Sequence, residues 1–154
     1  NKEVKTDADI AINVYKEQPQ NSFKIVDEKM LLISGKDLNT KNIQDIHQYD
    51  FLVHSSRPKI LAKFLKKKNI EASAIKRQIE FEHFYMIISA VKANLGIGLV
   101  PEFLVTQDIK KGSIVNLNQE YFYSGFGYYL KYKNNKSSEI GDFLNWARAQ
   151  KLFK

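Results

Sequence analysis

A chain of 154 residues, 44% of them hydrophobic, holds enough apolar material to bury a core as one domain or two small lobes. With no cysteine it excludes a disulfide framework, a thiol nucleophile and a cysteine-ligated zinc site, and it suits a reducing, cytoplasmic setting. The net charge of +7 is scattered rather than gathered into a basic stripe interleaved with aromatics, so no nucleic-acid module is expected; nor, without a run of about 18 apolar residues or a signal peptide, is a membrane span or export.

In chain order, Ala8 to Val14 reads as a strand, Lys16 to Ser22 as a polar loop, and the continuously apolar Met30 to Ile33 as a strand covered on both faces. Thr40 to His47 carries a weak helical signal, and Phe51 to His54 is a short strand ending at Ser55-Ser56-Arg57-Pro58. Pro58 is expected to open a helix whose buried stripe is Ile60, Leu61, Phe64 and Leu65, with Lys66-Lys67-Lys68 at its end, where cations suit the macrodipole. Ala74 to Glu80 reads as a partly exposed strand. Phe84, Ile87, Ile88 and Val91 mark a helix that Gly96 is expected to end, and Ile97 to Val100 is a central strand. Pro101 is expected to open a helix over Glu102 to Lys110 that Gly112 closes. Strands at Ser113 to Leu117 and Gly127 to Tyr132 follow, then a surface turn at Asn134 to Ser138. The last helix, Glu139 to Gln150, turns Ile140, Phe143, Leu144 and Ala147 inward. The alternation of strand and helix implies an α/β protein with a mainly parallel sheet.

Gly96-Ile97-Gly98 is not a dinucleotide fingerprint, because Pro101 replaces the third glycine and the pair precedes its strand; close packing explains the glycines better. His54, Ser55, Ser56 and Arg57 stand at a strand end before a helix. No nucleophile elbow accompanies them, so they suit the holding of an anion such as a carboxylate, with helix capping by Ser55 or Ser56 as the plainer role. Glu82 and His83 begin the helix that carries Phe84 and Tyr85. The histidines lack metal-ligand spacing, and neither a metal nor a cofactor is expected. The aromatic run Tyr121, Phe122, Tyr123, Phe126, Tyr128 and Tyr129, with Trp146, reads as core or interface rather than as a platform for stacking bases.

Several of these segments together resemble the effector-binding domain of LysR-type transcriptional regulators: Phe81-Glu82-His83-Phe84-Tyr85-Met86, Ala90-Val91, Gly96 to Pro101, and Asp108-Ile109 with Gly112, Ile114 and Val115. Asp9-Ile10-Ala11-Ile12, Tyr128-Tyr129-Leu130 and Phe143-Leu144 with Trp146 agree with the family's pattern, so the resemblance runs over essentially the whole chain. Two departures are that the family's N-terminal helix-turn-helix is absent and that the chain starts almost on the D-[LI]-A-I strand. A fragment without the first strand-helix-strand of one lobe is therefore expected, and it should not read DNA by itself.

The resemblance implies a periplasmic-binding-protein-like (type II) fold of two α/β lobes. A lobe I remnant is expected over 1–34 and 127–154, and lobe II over 35–126, with Ser34-Gly35 and the Ser124-Gly125 neighbourhood as hinges. It also implies a small, anionic or polar effector in the interlobe cleft, lined by Ser34, Ser55, Ser56, Glu82, His83 and the Gly98, Val100 and Pro101 turn, with His54 and Arg57 beside them. Promoter DNA would be reached only through the absent N-terminal domain, and the intact regulator would be a dimer or tetramer. The rival readings are a solute-binding protein of a transporter, which shares the fold, and an enzyme on the same lobes, which lacks an acid-base pair.

Overall fold

The computed structural model describes residues 10–38, 43–117, 122–133 and 138–150. Thr40, Tyr121, residues 134–137 and the side chain of Ile140 lie outside the described set, as do Ala8 and Asp9 of the first expected strand. The elements are β1 (Ile10–Tyr15), β2 (Ser22–Gly35), a 3-10 turn (Ile43–Gln48), β3 (Asp50–His54), α1 (Ile60–Lys67) and β4 (Arg77–Phe81). They continue with α2 (Phe84–Lys92), β5 (Ile97–Pro101), a 3-10 turn (Glu102–Leu104), α3 (Thr106–Lys111), β6 (Ile114–Asn116), β7 (Phe122–Tyr132) and α4 (Ser138–Ala149). The chain divides into two compact units, one drawn from 10–28 and 123–150 and the other from 29–122, so β2 and β7 each contribute to both.

In the larger unit the sheet runs β2-β5-β3-β4, with β6 also paired to β2. Alternate side chains of each strand enter different cores, as the two-residue strand period requires. Met30, Leu32, Phe51, Ile97 and Leu99 join α1 residues Ile60, Leu61, Phe64 and Leu65, together with Ile46 of the 3-10 turn. Leu31, Ile33, Leu52 and Val100 join Ile87, Ile88, Ala90 and Val91 of α2 and Val105 beside α3. The sheet is thus covered on both faces, which is why its strands read as unbroken apolar runs.

In the smaller unit β1 pairs antiparallel with β7 from Ile10↔Tyr132 to Tyr15↔Gly127. Leu130 packs with Leu144 of α4, flanked by Ile10, Phe23, Ile25 and Tyr132. The Arg148 guanidinium stands 4.3 Å from the Phe23 ring centre. Here Glu28 is buried and accepts a 2.7 Å hydrogen bond from the Tyr128 hydroxyl.

Five expectations need correction. The sheet is not mainly parallel: β3 runs parallel to β4 and β5, but β1 with β7, β2 with β5 and β2 with β6 are antiparallel. A parallel neighbour needs a crossover, and among the described residues helices join β3-α1-β4, β4-α2-β5 and β5-α3-β6, the last passing over the antiparallel β2. Pro58 does not begin α1. It is the second residue of a turn closed by Ile60 N–H to the Arg57 carbonyl (3.2 Å), a place its fixed φ also suits, and the helix starts at Ile60.

Gly96 does not end α2; Asn94 does, at φ 58°, with Leu95 N–H bonded to Ala90 O and Asn94 N–H to Val91 O. This paired closure of the last turn recurs after α1 on Asn69 and after α3 on Gly112, the latter as expected. Gly96 serves packing, since a Cβ there would stand 2.6 Å from the Asp50 carbonyl oxygen. Pro101 is the last residue of β5, and the expected 102–110 helix is a 3-10 turn followed by α3, broken at Val105. Phe143 is not turned inward: it is 37% exposed, while Leu144 and Ala147 are buried as the spacing predicts.

Candidate functional site

Because β3, β4 and β5 are parallel, their carboxyl ends, at His54, Phe81 and Pro101, fall on one edge of the larger unit. The segments that leave them are Ser55 to Arg57, Glu82 to His83 and Glu102. Open α/β sheets bind ligands beyond this edge. β2 runs antiparallel to β5 with Met30 opposite Pro101, so its start in this unit lies at the same edge.

The β3–α1 loop is held by its own main chain. Ser55 N–H donates to Phe81 O and Arg57 N–H to His54 O, each at 2.9 Å. Ser56 N–H donates to His54 Nδ1 at 3.1 Å, and the Ser56 hydroxyl lies 2.9 Å from the same nitrogen. The His54 ring rests 4.4 Å from the ring of Phe84. Arg57 is 7% exposed. His54, Arg57 and Phe84 line a small open pocket together with Met30, Phe51, Ile60, Leu61 and Leu99, and Ser55 and Ser56 stand outside its lining. Neither serine caps α1: the residue before its first turn is Lys59, with no side-chain cap bond. The plainer capping role expected for Ser55 or Ser56 is therefore not the one they play.

The other expected site residues are placed differently. Glu82 and His83 are exposed on the same edge; His83 precedes α2, and its ring stacks on Tyr85 at 5.2 Å. Gly98 lies under α2, where a Cβ would stand 2.9 Å from Ile87 Cγ2 and from the Leu52 carbonyl oxygen. Val100 points into the α2 and α3 core, and Leu99, its neighbour of opposite facing, reaches the pocket instead. Pro101 is buried at the strand end. Ser34 stands at the far end of β2, opposite Val115 of β6 and one residue beyond the Ile33↔Gly98 pair. At about 3.3 Å per residue that is about 13 Å from the level of Met30 and Pro101.

Sequence reasoning missed Met30, Phe84 and Leu99 because they read as core, and it missed Glu102. The Glu102 Oε2 atom is buried without a hydrogen-bond partner among the described residues. At the opposite edge of the sheet Arg77 and Asp50 form a two-bond ion pair at 2.5 and 3.1 Å. That guanidinium holds the Asp50 carboxyl below its ordinary range. Among the described residues no three His, Asp or Glu side chains gather to hold a metal, and no helix is long and apolar enough to cross a membrane.

A sheet with helices on both faces and a pocket at the carboxyl ends of its parallel strands defines a ligand-binding α/β domain, and comparison gives it a family. Residues 2–151 match the profile of the LysR substrate binding domain, and the chain belongs to that family. No curated protein matches the sequence. Among solved structures, the effector domain of AmpR from Pseudomonas aeruginosa is similar with a TM-score of 0.77 at 16% identity, over 92% of this chain and 71% of that one. The bromide-bound regulatory domain of HypT from Salmonella typhimurium gives 0.67 at 12%, over 92% and 71%. The regulatory domain of CcmR from Synechocystis PCC6803, in complex with 2-PG, gives 0.65 at 15%, over 94% and 74%. The fold is accordingly the type II periplasmic-binding-protein-like one, and the chain is an effector-binding domain of the LysR regulators rather than a transporter's solute-binding protein.

Proposed function

We propose that this domain senses a small anionic metabolite at the carboxyl edge of β3, β4 and β5, with Arg57 and His54 as donors to its acidic group and Ser55, Glu82 and His83 at the rim. The observation that carries this is the buried Arg57 beside the pocket. A guanidinium stays charged, has five donors and no acceptor, and fits carboxylate or phosphate oxygens in pairs. Two of the similar structures hold small ligands, bromide in HypT and 2-PG in CcmR, which supports a ligand of this kind. Ser34, at the other end of its strand, is left out of the site, and Gly98 and Val100 support it from beneath.

The two compact units are read as the family's lobes, the smaller as lobe I. In the intact regulator, a dimer or tetramer in the cytoplasm, the effector acts by binding one arrangement of the assembly more tightly than another, and so changes how a separate DNA-binding domain engages its promoter. The role is binding without turnover. Thermal-shift screening against carboxylates and amino acids tests the reading. An anion present at about 100 times its Kd stabilises the fold by about 2.7 kcal/mol, and Arg57→Gln removes that gain. Stabilisation by neutral or cationic compounds alone would sink the anion reading.

A further inference from the structure

We propose that the main-chain amide of Ser56 fixes the tautomer of His54, so that its side chain, like that of Arg57, offers the pocket a hydrogen-bond donor and favours an acceptor group on the effector. Its functional meaning rests on the anion reading above; its chemistry does not. A peptide N–H can only donate, and Ser56 N–H points at His54 Nδ1 from 3.1 Å. Nδ1 must therefore present its lone pair. The Ser56 hydroxyl, 2.9 Å from the same atom, then donates as well. A neutral imidazole carries one hydrogen, which is left for Nε2.

The ring cannot easily escape this arrangement. Phe84 lies against it at 4.4 Å, and the loop beneath is tied at both ends by Ser55 N–H to Phe81 O and Arg57 N–H to His54 O. In that state neither His54 nor Arg57 offers an acceptor from its side chain to the pocket they share. A carboxylate or phosphate oxygen is favoured beside these two side chains. His54 is thus a specificity-determining residue, and Ser56 is the positioning residue that acts through it.

Long-range proton–nitrogen NMR of the imidazole rings, on the full chain at a pH above the ordinary histidine pKa of about 6.5, reads the tautomer directly. The sequence has three histidines, and the His54→Gln spectrum assigns the signal. The expected result is hydrogen on Nε2 and none on Nδ1, in the native chain and in Ser56→Ala, which keeps the amide. Hydrogen on Nδ1, or a mixture of the two tautomers, overturns the proposal.

A second arm uses sodium acetate as the probe and follows the main-chain signal of Arg57. Glutamine places its amide N–H₂ near the position of Nε2, and asparagine places its own near Nδ1. His54→Gln is expected to keep acetate affinity within about threefold, and His54→Asn to lose about tenfold, the equivalent of about 1.4 kcal/mol. Asparagine performing as well as glutamine overturns the donor role. Absence of any acetate response in the native chain counts against the anion reading, while the ring nitrogens still decide the tautomer.

Discussion

In the unit built from residues 29–122, helices cover both faces of the sheet, and Phe51, Phe64, Ile87 and Val91 are fully buried. In the unit built from 10–28 and 123–150, one helix packs on the strands, and the core described there centres on Leu130 and Leu144. The contrast follows from strand direction. Parallel neighbours such as β3, β4 and β5 must be joined by crossovers, and those crossovers are the helices α1 and α2 that supply the two apolar faces. The same crossovers leave three strand ends and their loops on one edge. Cohesion and the proposed site thus have a common origin in the larger unit, whereas the antiparallel β1 and β7 pair gathers no such edge.

The contrast can be broken by substitution. Phe51→Ala, in the first core of the larger unit, is expected to cost about 3–5 kcal/mol in denaturant unfolding, the usual range for emptying a buried aromatic site. Gly98→Ala should cost toward the upper part of about 1–3 kcal/mol, because the new Cβ meets Ile87 Cγ2 and the Leu52 carbonyl oxygen at 2.9 Å and both belong to packed elements. Leu144→Ala, in the smaller unit, is expected near about 2 kcal/mol, the low end for leucine, since fewer buried neighbours surround it. A Leu144→Ala cost equal to that of Phe51→Ala would show that the two cores are alike and end the comparison.

The smallest effect concerns the surface of the larger unit. Hydrogen bonding from Lys92, then its charge and the Ser113 hydroxyl, hold the Asp108 carboxyl below its ordinary range across a 2.8 Å ion pair. A carboxyl whose folded pKa is depressed contributes stability that is present above its unfolded pKa of about 3.9 and lost as the pH falls through the lower folded value. Asp108→Asn should therefore cost under about 1 kcal/mol at pH 7, as exposed pairs do, and the difference from the native chain should close below that window. A difference that persists in acid would point to packing rather than charge.

Much of the molecule was legible in the residues themselves. The apolar runs Met30 to Ile33 and Ile97 to Val100 announced buried strands, the 3–4 spacing of Ile60, Leu61, Phe64 and Leu65 announced the inner face of α1, and the family pattern around Glu82, Gly96 and Gly112 announced the fold. For the proposed site, the strand-end pattern singled out His54 and Arg57, which line one pocket. The pattern also grouped Ser34 and Gly98 with them, and these two do not line that pocket. Strand direction and register, which put Ser34 at the far end of β2 and Gly98 beneath α2, depend on pairing between distant segments.

Local rules have the same boundary. Pro58 and Gly96 carry helix-end preferences that the sequence shows plainly, yet the turn that Arg57 closes with Ile60 claimed one and the Asp50 carbonyl claimed the other, leaving Asn94 to take the left-handed turn. By itself the sequence determined which faces are apolar and which family the chain resembles, because periodicity and residue chemistry are local properties. Only the tertiary structure decided which residues meet at the carboxyl ends of β3, β4 and β5 and that the Ser56 amide meets His54 Nδ1, because both depend on where one backbone comes to rest against another.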